Sequence, residues 1–167
     1  MAGRQVNWKR FDLAVKACVK AVENLLIVGD GPEHANLVKL AEGHENIKFL
    51  PKYNGAEEIT KYFKAAKGLI FPSLEPFGII PVEALACGLP ILAYGRGGSV
   101  DIVEEGVNGR FFDKQTVASL CKGLEEFNVA QYKRDQVVAT ADRFNEPTFA
   151  AAWHKLLNDY CEALPRD

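Results

Sequence analysis

Two glutamates eight positions apart, Glu75 and Glu83, sit in the stretch FPSLEPFGIIPVEALACGLPILAYGRGG (residues 71–98), where the pattern gives a strand end, a loop and then a helix. An ionised carboxylate only accepts hydrogen bonds, so a pair of them suits a ligand rich in hydroxyls. Pro81 falls near the first helical turn, where its missing N–H costs nothing, and Gly88 with Pro90 ends the helix. The helix N-terminus therefore faces a loop at the carboxyl end of the strand over residues 68–71. Ligands bind at that edge of an open α/β sheet, and free N–H groups with the positive dipole end suit a phosphate. Phosphates and vicinal hydroxyls together describe a nucleotide sugar, with one glutamate on the ribose diol and the other on the sugar. The plainer reading stands beside it on spacing alone: acidic residues near a helix N-terminus complement its dipole. Gly78, after Phe77, lets the backbone approach a ligand, although a turn before a helix asks the same of it.

Arg4 and Lys9 lie in the first loop, GRQVNWKR. Arginine forks onto a phosphate and lysine meets it as a point charge, so the two suit a diphosphate leaving group. By themselves they read first as a solvated surface pair. Gly29-Asp-Gly-Pro32 and Gly95-Arg-Gly-Gly98 are glycine-rich turns after strands, but neither completes G-x-G-x-x-G, and His34 stands where the third glycine of the first would be. G-x-x-x-x-G-K-[ST] and G-x-S-x-G are absent, which excludes a P-loop and sets hydrolases aside.

The elements that must hold these residues follow from periodicity. Residues 11–22 repeat Phe11, Ala14, Val15, Cys18, Ala21 and Val22 at helical spacing. A short apolar strand over residues 25–28 leads to a helix over 32–42 with Leu37, Val38 and Ala41 inward. Another strand, 47–50, closes at Pro51, and a helix over 56–66 carries Ile59, Tyr62, Phe63 and Ala66 on one stripe. Strands at 68–71 and 90–94 bracket the central helix. After them come a short helix (100–105), a last strand (109–112) and helices over 116–127, 131–144 and 149–164, with a break at Asn145-Glu-Pro147. The last helix is amphipathic through Phe149, Ala152, Trp153, Leu156, Leu157, Tyr160 and Leu164; Trp153 and Tyr160 either pack on this domain or cross to a partner, and core packing is the first expectation.

Strands alternating with helices predict an α/β fold, a Rossmann-like doubly wound parallel sheet with helices on both faces. Right-handed crossovers then gather the loops at 29–32, 51–55, 72–78 and 95–98 on one edge. One expected part is short: such a domain opens with a central strand, and residues 1–6 supply little of it. A first strand that is missing or very short points to a chain cut at its amino end, or to one completed by another segment.

Composition bounds the rest. A chain of 167 residues with 48% hydrophobic content suits one domain, residues 1–167. A net charge of −2 gives no reason to expect nucleic acid. Cys18, Cys87, Cys121 and Cys161 are scattered on helical apolar faces, and His34, His44 and His154 are far apart, so no metal site is expected and reduced thiols in a cytoplasmic protein are. No apolar run approaches the ~20 residues of a membrane span.

Taken together these residues resemble the C-terminal, donor-binding domain of retaining GT-B glycosyltransferases, glycosyltransferase family 4. The landmarks are Gly3, Arg4 and Lys9; Val28 to Pro32; Glu75 and Glu83 with Phe77-Gly78 between them; Glu-Ala-x-Ala-x-Gly-x-Pro from Glu83 to Pro90; Gly97-Gly98; and Gly106 to Gly109. The resemblance implies that Arg4 and Lys9 hold the diphosphate and that Glu75 binds hydroxyls of the transferred sugar, making Glu75, Arg4 and Lys9 the catalytic set. It further implies that the backbone of Phe77, Gly78 and Ile79 meets sugar and phosphate, that Glu83 binds the ribose, and that Gly31 and the turn after Leu50 flank the base. EPFGIIPVEALACG is similar to bacterial mannosyltransferases of O-antigen and capsule assembly, which implies a GDP-mannose donor, or more broadly a GDP- or UDP-hexose. The family implies transfer with retention and without a metal or cofactor, onto a glycan or lipid-linked acceptor. It also implies an N-terminal GT-B domain, in cis or as a separate chain, through which the protein could sit at the inner face of the membrane. Asp101 departs from the glutamate common after the Gly-Gly pair. Two rivals remain: a nucleotide-sugar epimerase on the same fold, and a non-catalytic nucleotide-sugar-binding or assembly module.

Overall fold

In a computed structural model, which describes residues 1–50, 53 and 55–163, the chain forms parallel strands layered between helices. The elements run α1 (Phe11–Ala21), β1 (Leu25–Val28), α2 (His34–Leu40), β2 (Ile47–Leu50), α3 (Ala56–Ala65), β3 (Leu69–Phe71), α4 (Ile79–Ala86), β4 (Ile91–Tyr94), α5 (Ser99–Ile102), β5 (Gly109–Phe112), α6 (Val117–Glu126), α7 (Arg134–Ala141) and α8 (Glu146–Ala163). β1 pairs in parallel with β2, from Leu25 opposite Ile47 to Val28 opposite Leu50. β3, β4 and β5 form a second parallel set in that order, with Leu69 opposite Ile91 and Ile91 opposite Gly109.

β1, β3 and β4 are apolar because both their faces are covered, as parallel strands require, while the outer strands β2 and β5 carry Lys48 and Arg110. Alternate side chains go to opposite layers. Leu25, Ile27, Leu92 and Phe112 pack with Phe11, Val15 and Cys18 of α1, Leu37 of α2 and Leu120 of α6. Val28, Leu69, Phe71, Ile91 and Ala93 pack with Ile59 and Phe63 of α3, Ala84 and Leu85 of α4, Ile102 of α5, and Val137 and Ala141 of α7. Fully burying one such leucine or isoleucine is worth about 1.5–3 kcal/mol, so the two layers carry the fold.

The expected shortness of the opening strand holds. Met1 to Gly3 run beside β1, where Ala2 bridges Val28 in parallel. The Gly3 N–H donates to the Val28 carbonyl at 2.9 Å, and Ala2 joins the buried cluster that contains Leu69 and Phe71. A few residues thus stand where a full strand was expected.

Several expectations need correction. Val38 faces out at 45% exposure, because α2 covers the sheet with Leu37. The helix expected over 131–144 is three pieces: 3-10 turns at Val129–Gln131 and Asp142–Phe144 flank α7. The α5 helix is a single turn. Trp153 (50%) and Tyr160 (65%) are exposed instead of packed, as are Phe149, Leu156 and Leu157, because α8 contacts little of the body beyond the turn at Asp142–Phe144. Cys161 is exposed with them, and Cys87 caps α4 half-buried, so only Cys18 and Cys121 are core thiols. Pro51 and Leu164 lie outside the described residues.

Asn108 shows what the Gly106–Gly109 motif does. Fully buried, it donates to the Ile102 carbonyl (3.1 Å) and Thr140 Oγ1 (2.9 Å) and accepts from the Glu104 N–H (2.8 Å). One amide thereby satisfies the end of α5 and ties it to α7, as a buried polar side chain must.

Candidate functional site

The first loop is fixed by the turn after β1. The Gln5 N–H donates to the Asp30 carbonyl (2.9 Å), and the buried Gln5 side chain donates to the Gly29 carbonyl (2.6 Å) and meets His34 Nδ1 (2.9 Å) through Oε1. The two loops touch backbone to backbone: a Cβ on Gly31 would lie 2.7 Å from the Gln5 nitrogen. Gly31 is therefore required for packing, whatever it does for a base. Arg4, held between Gly3 and Gln5, is exposed, and no ion pair engages it among the described residues.

Lys9 ends the 3-10 turn Asn7–Lys9 and reaches Glu75, with Nζ 3.1 Å from Oε1 and both side chains about four-fifths buried (20% and 18% exposed). The contact is a charge pair without hydrogen-bond alignment, and Glu75 Oε1 has no hydrogen-bond partner among the described residues. The Lys9 ammonium is the charge that offsets this buried oxygen. Ser73, itself buried, donates from Oγ to the Lys9 carbonyl at 3.3 Å and so pins the β3 loop to the first loop. Gln115 Nε2 holds the Pro72 carbonyl at 2.7 Å.

The glycine pair at the end of β4 clasps the same loop from the other side. The Gly98 N–H donates to the Glu75 carbonyl (2.7 Å), and a Cβ on Gly98 would lie 2.5 Å from Phe77 Cα. Gly78 then turns the chain into α4 at φ 122°, a conformation that side-chain-bearing residues rarely adopt, with Phe71 and Pro81 filling the space a Cβ would need. No side chain caps α4 and none of its first-turn residues is acidic, so its leading N–H groups keep their affinity for an anion. Ile79 opens the helix at 68% exposure, and the half-exposed Phe77 ring meets Phe144 edge-on at 5.8 Å.

Glu83 lies a turn further along α4, half-buried and without an ion-pair partner among the described residues. Burial raises its pKa above the ordinary carboxyl value. Tyr53 stands near it: burial, and then the Glu83 charge, raise the tyrosine's pKa. Tyr53 is the described part of the turn after Leu50; Pro51, Lys52 and Asn54 lie outside the described residues. Among the described residues no cluster of three or more His, Cys, Asp or Glu could hold a metal ion.

The structure thus brings Lys9 and Glu75 into contact, fastens Gly78 and Gly98 around them, sets Arg4 and Gly31 on the adjoining loops, and places Glu83 beside Tyr53. Sequence reasoning missed Gln5 and Ser73, which position the site without facing it. A buried glutamine in a polar loop and a serine after proline carry no periodic signal. Tyr53 was missed as well, having only its place after β2 to mark it.

Residues 1–144 match the family described as Glycosyl transferases group 1. The chain belongs to that family. Among its relatives, D-inositol 3-phosphate glycosyltransferase of Mycobacterium sp. (strain KMS) is 34% identical over 125 residues, covering 69% of this chain and 28% of that one. An uncharacterised glycosyltransferase of Haemophilus influenzae is 29% identical over 133 residues, covering 74% and 37%. N-acetyl-alpha-D-glucosaminyl L-malate synthase of Bacillus anthracis is 31% identical over 108 residues, covering 60% and 28%. The chain therefore spans about a third of the length of these relatives. Of solved structures, Anabaena HepE in complex with UDP superposes with a TM-score of 0.77 at 24% identity, covering 94% of this chain and 47% of that one. The apo form of the lipopolysaccharide outer core galactosyltransferase WaaB gives 0.81 at 17%, covering 95% and 48%. These similarities show the fold, an α/β arrangement of parallel strands flanked by helices that matches GT-B glycosyltransferase structures.

Proposed function

We propose that residues 1–167 are the donor-binding half of a retaining family 4 glycosyltransferase, which moves a hexosyl group from a nucleoside diphosphate sugar to a glycan or lipid-linked acceptor. The observation that carries this reading is the largely buried Lys9–Glu75 pair, its glutamate in the loop that leads into the uncapped N-terminus of α4. Departure of the nucleoside diphosphate builds negative charge on its phosphates. Arg4 and Lys9 are cationic partners for that charge and the α4 N–H groups dipolar ones, and both act more strongly on the transition state than on the ground state. Glu75 accepts from the sugar hydroxyls and Glu83 from the ribose diol, while Phe77, Gly78 and Ile79 offer backbone at the sugar-phosphate junction and Gly31 and Tyr53 border the base. The isolated chain transfers no sugar without the N-terminal domain, and because this reading needs no metal, chelation with EDTA leaves turnover by the two halves together unchanged.

The wording of residues 75–88 makes GDP-mannose the first donor to test. UDP-glucose stands beside it, because similar HepE structures hold UDP and UDP-glucose. The other half of the enzyme is an N-terminal GT-B domain, supplied in cis or as a separate chain. The exposed apolar stripe of α8 supports that need. The reaction belongs in the cytoplasm, where nucleotide sugars are made, with any contact to the inner membrane face made through the other half. No helix among the described residues is long and apolar enough to cross a membrane. Titration calorimetry of GDP-mannose, UDP-glucose and ADP-glucose against this chain and its Glu83→Ala variant tests the donor reading. We expect one nucleotide to bind and the variant to lose at least tenfold, the worth of about 1.4 kcal/mol. Equal binding by both proteins removes Glu83 from its role, and no binding by either removes the donor reading.

A further inference from the structure

The 3-10 turn Asn7–Lys9 sends successive side chains out about 120° apart. Lys9 goes to Glu75, and its neighbour Trp8 goes elsewhere. Its indole, 59% exposed, borders a groove of about 510 Å³ between this turn, the start of α1 and the start of α2. Phe11 and Leu37 make an apolar floor, and Arg10, Asp12 and Glu33 make the polar wall. That volume falls in the range of small-molecule clefts, roughly 300–1,000 Å³.

The ionic groups of the wall are already engaged, Arg10 with Asp12 and Glu33 with a neutral amide. Arg10 grips Asp12 through Nε (3.0 Å) and Nη2 (3.4 Å), Lys16 adds a second cation to Asp12 (3.4 Å), and Asn36 donates to Glu33 (3.1 Å). A phosphate meets no unpaired cation here, and an apolar side chain would strip water from the ionic wall without replacing its hydrogen bonds. A neutral pyranose fits both parts. Its C–H face is apolar and lies on a flat indole, while its hydroxyls donate to carboxylates and accept from a guanidinium.

We propose that this groove is a glycan subsite separate from the donor edge, in which one neutral hexose ring stacks on Trp8 and hydrogen-bonds to Glu33, Asp12 and Arg10. The proposal rests on the transferase reading for its choice of a glycan. Because Trp8 and Lys9 are adjacent, a saccharide chain held here is anchored by the same turn that faces the leaving group.

The two tryptophans make the test direct. Trp153→Phe on the exposed α8 leaves Trp8 as the sole indole. Methyl α-D-mannopyranoside, methyl α-D-glucopyranoside and N-acetyl-D-glucosamine are titrated to ~100 mM, enough to near saturation at a Kd of roughly 10 mM. At least one should shift Trp8 emission saturably. Saturation-transfer NMR with that sugar should lose its signal in Trp8→Ala, keep part of it in Trp8→Phe, and weaken about tenfold in Glu33→Gln. Saturating GDP or UDP should leave the signal in place. No saturable response to any of the three sugars overturns the proposal, as does a signal indifferent to Trp8→Ala or one displaced by nucleotide. Loss of nucleotide binding alone would count against the donor reading and leave the groove standing. Trp8 is exposed, so Trp8→Ala keeps the fold, which its melting curve verifies.

Discussion

Lys9 Nζ and Glu75 Oε1 meet at 3.1 Å between the opening loop and the loop after β3, each group about four-fifths out of water. Neither side chain is comfortable without the other: a charge that loses its partner there keeps its desolvation cost. Lys9→Met and Glu75→Gln should each lower stability by about 1–2 kcal/mol in urea denaturation. The double variant should lose clearly less than the sum, with a coupling of about 0.5–1.5 kcal/mol. Strict additivity would mean that the two groups act independently and that the pair does not hold the loops together.

Glu83 gives a pH-dependent signature. Burial raises its pKa, so the folded state holds the proton more tightly than the unfolded chain does. That contribution to stability is full below the ordinary carboxyl value of about 4.3 and is lost as pH rises through the folded value. At neutral pH the ionised group is therefore a burden. Glu83→Gln should stabilise the protein slightly, by about 0.5 kcal/mol or less because the group is only partly buried and solvent screens it, with the gain vanishing at acid pH. The same change should weaken nucleotide binding about tenfold or more, through loss of a charge-assisted acceptor. It should also lower the pKa of Tyr53 towards the ordinary phenol value, since the Glu83 charge helps to raise it. Ultraviolet difference titration of the two proteins reads that shift, and identical tyrosine titrations would separate Tyr53 from Glu83.

The layers were legible in the sequence because burial repeats: Leu25 to Val28 and Ile91 to Tyr94 are apolar throughout, and α1 and α6 show their inward stripes. The loops of the site were legible because glycine and proline mark them. Contact was not legible. Nothing local in Lys9 says that it meets Glu75, and Gln5 and Ser73 act through backbone carbonyls of distant loops. The amphipathic pattern of α8 was read correctly as a stripe and wrongly as core, because periodicity reports an apolar face without naming what covers it.

Two glycines separate crowding from backbone strain. Gly98 has an ordinary helical φ of −61°, yet a Cβ there would lie 2.5 Å from Phe77 Cα, and backbone cannot give way. Gly106 has φ 81° with open space around it. Gly98→Ala should therefore cost about 2–4 kcal/mol and abolish nucleotide binding, because it pushes the Glu75–Gly78 loop off its clasp. Gly106→Ala should cost about 1–2 kcal/mol, the penalty of a left-handed residue, and leave nucleotide affinity alone. Urea midpoints and calorimetry on both variants decide it; nucleotide binding retained by a folded Gly98→Ala would mean that the clasp does not shape the site.

The last helix can be removed to learn what it is for. Every residue of α8 from Ala151 to Glu162 is exposed, and its ties to the body run through Asn145, whose Oδ1 accepts from the Thr148 N–H (2.9 Å), and through Thr148 to the Asp142 carbonyl (3.3 Å). A solvated helix of this length is marginal on its own, and its five large apolar side chains contribute nothing to the two core layers. Ending the chain after Asn145 should therefore leave the urea midpoint within about 0.5 kcal/mol of the parent and nucleotide affinity unchanged, while far-ultraviolet dichroism loses the signal of one helix. A stability loss above about 2 kcal/mol would show that α8 packs on the body in solution, and the stripe would then belong to the core after all.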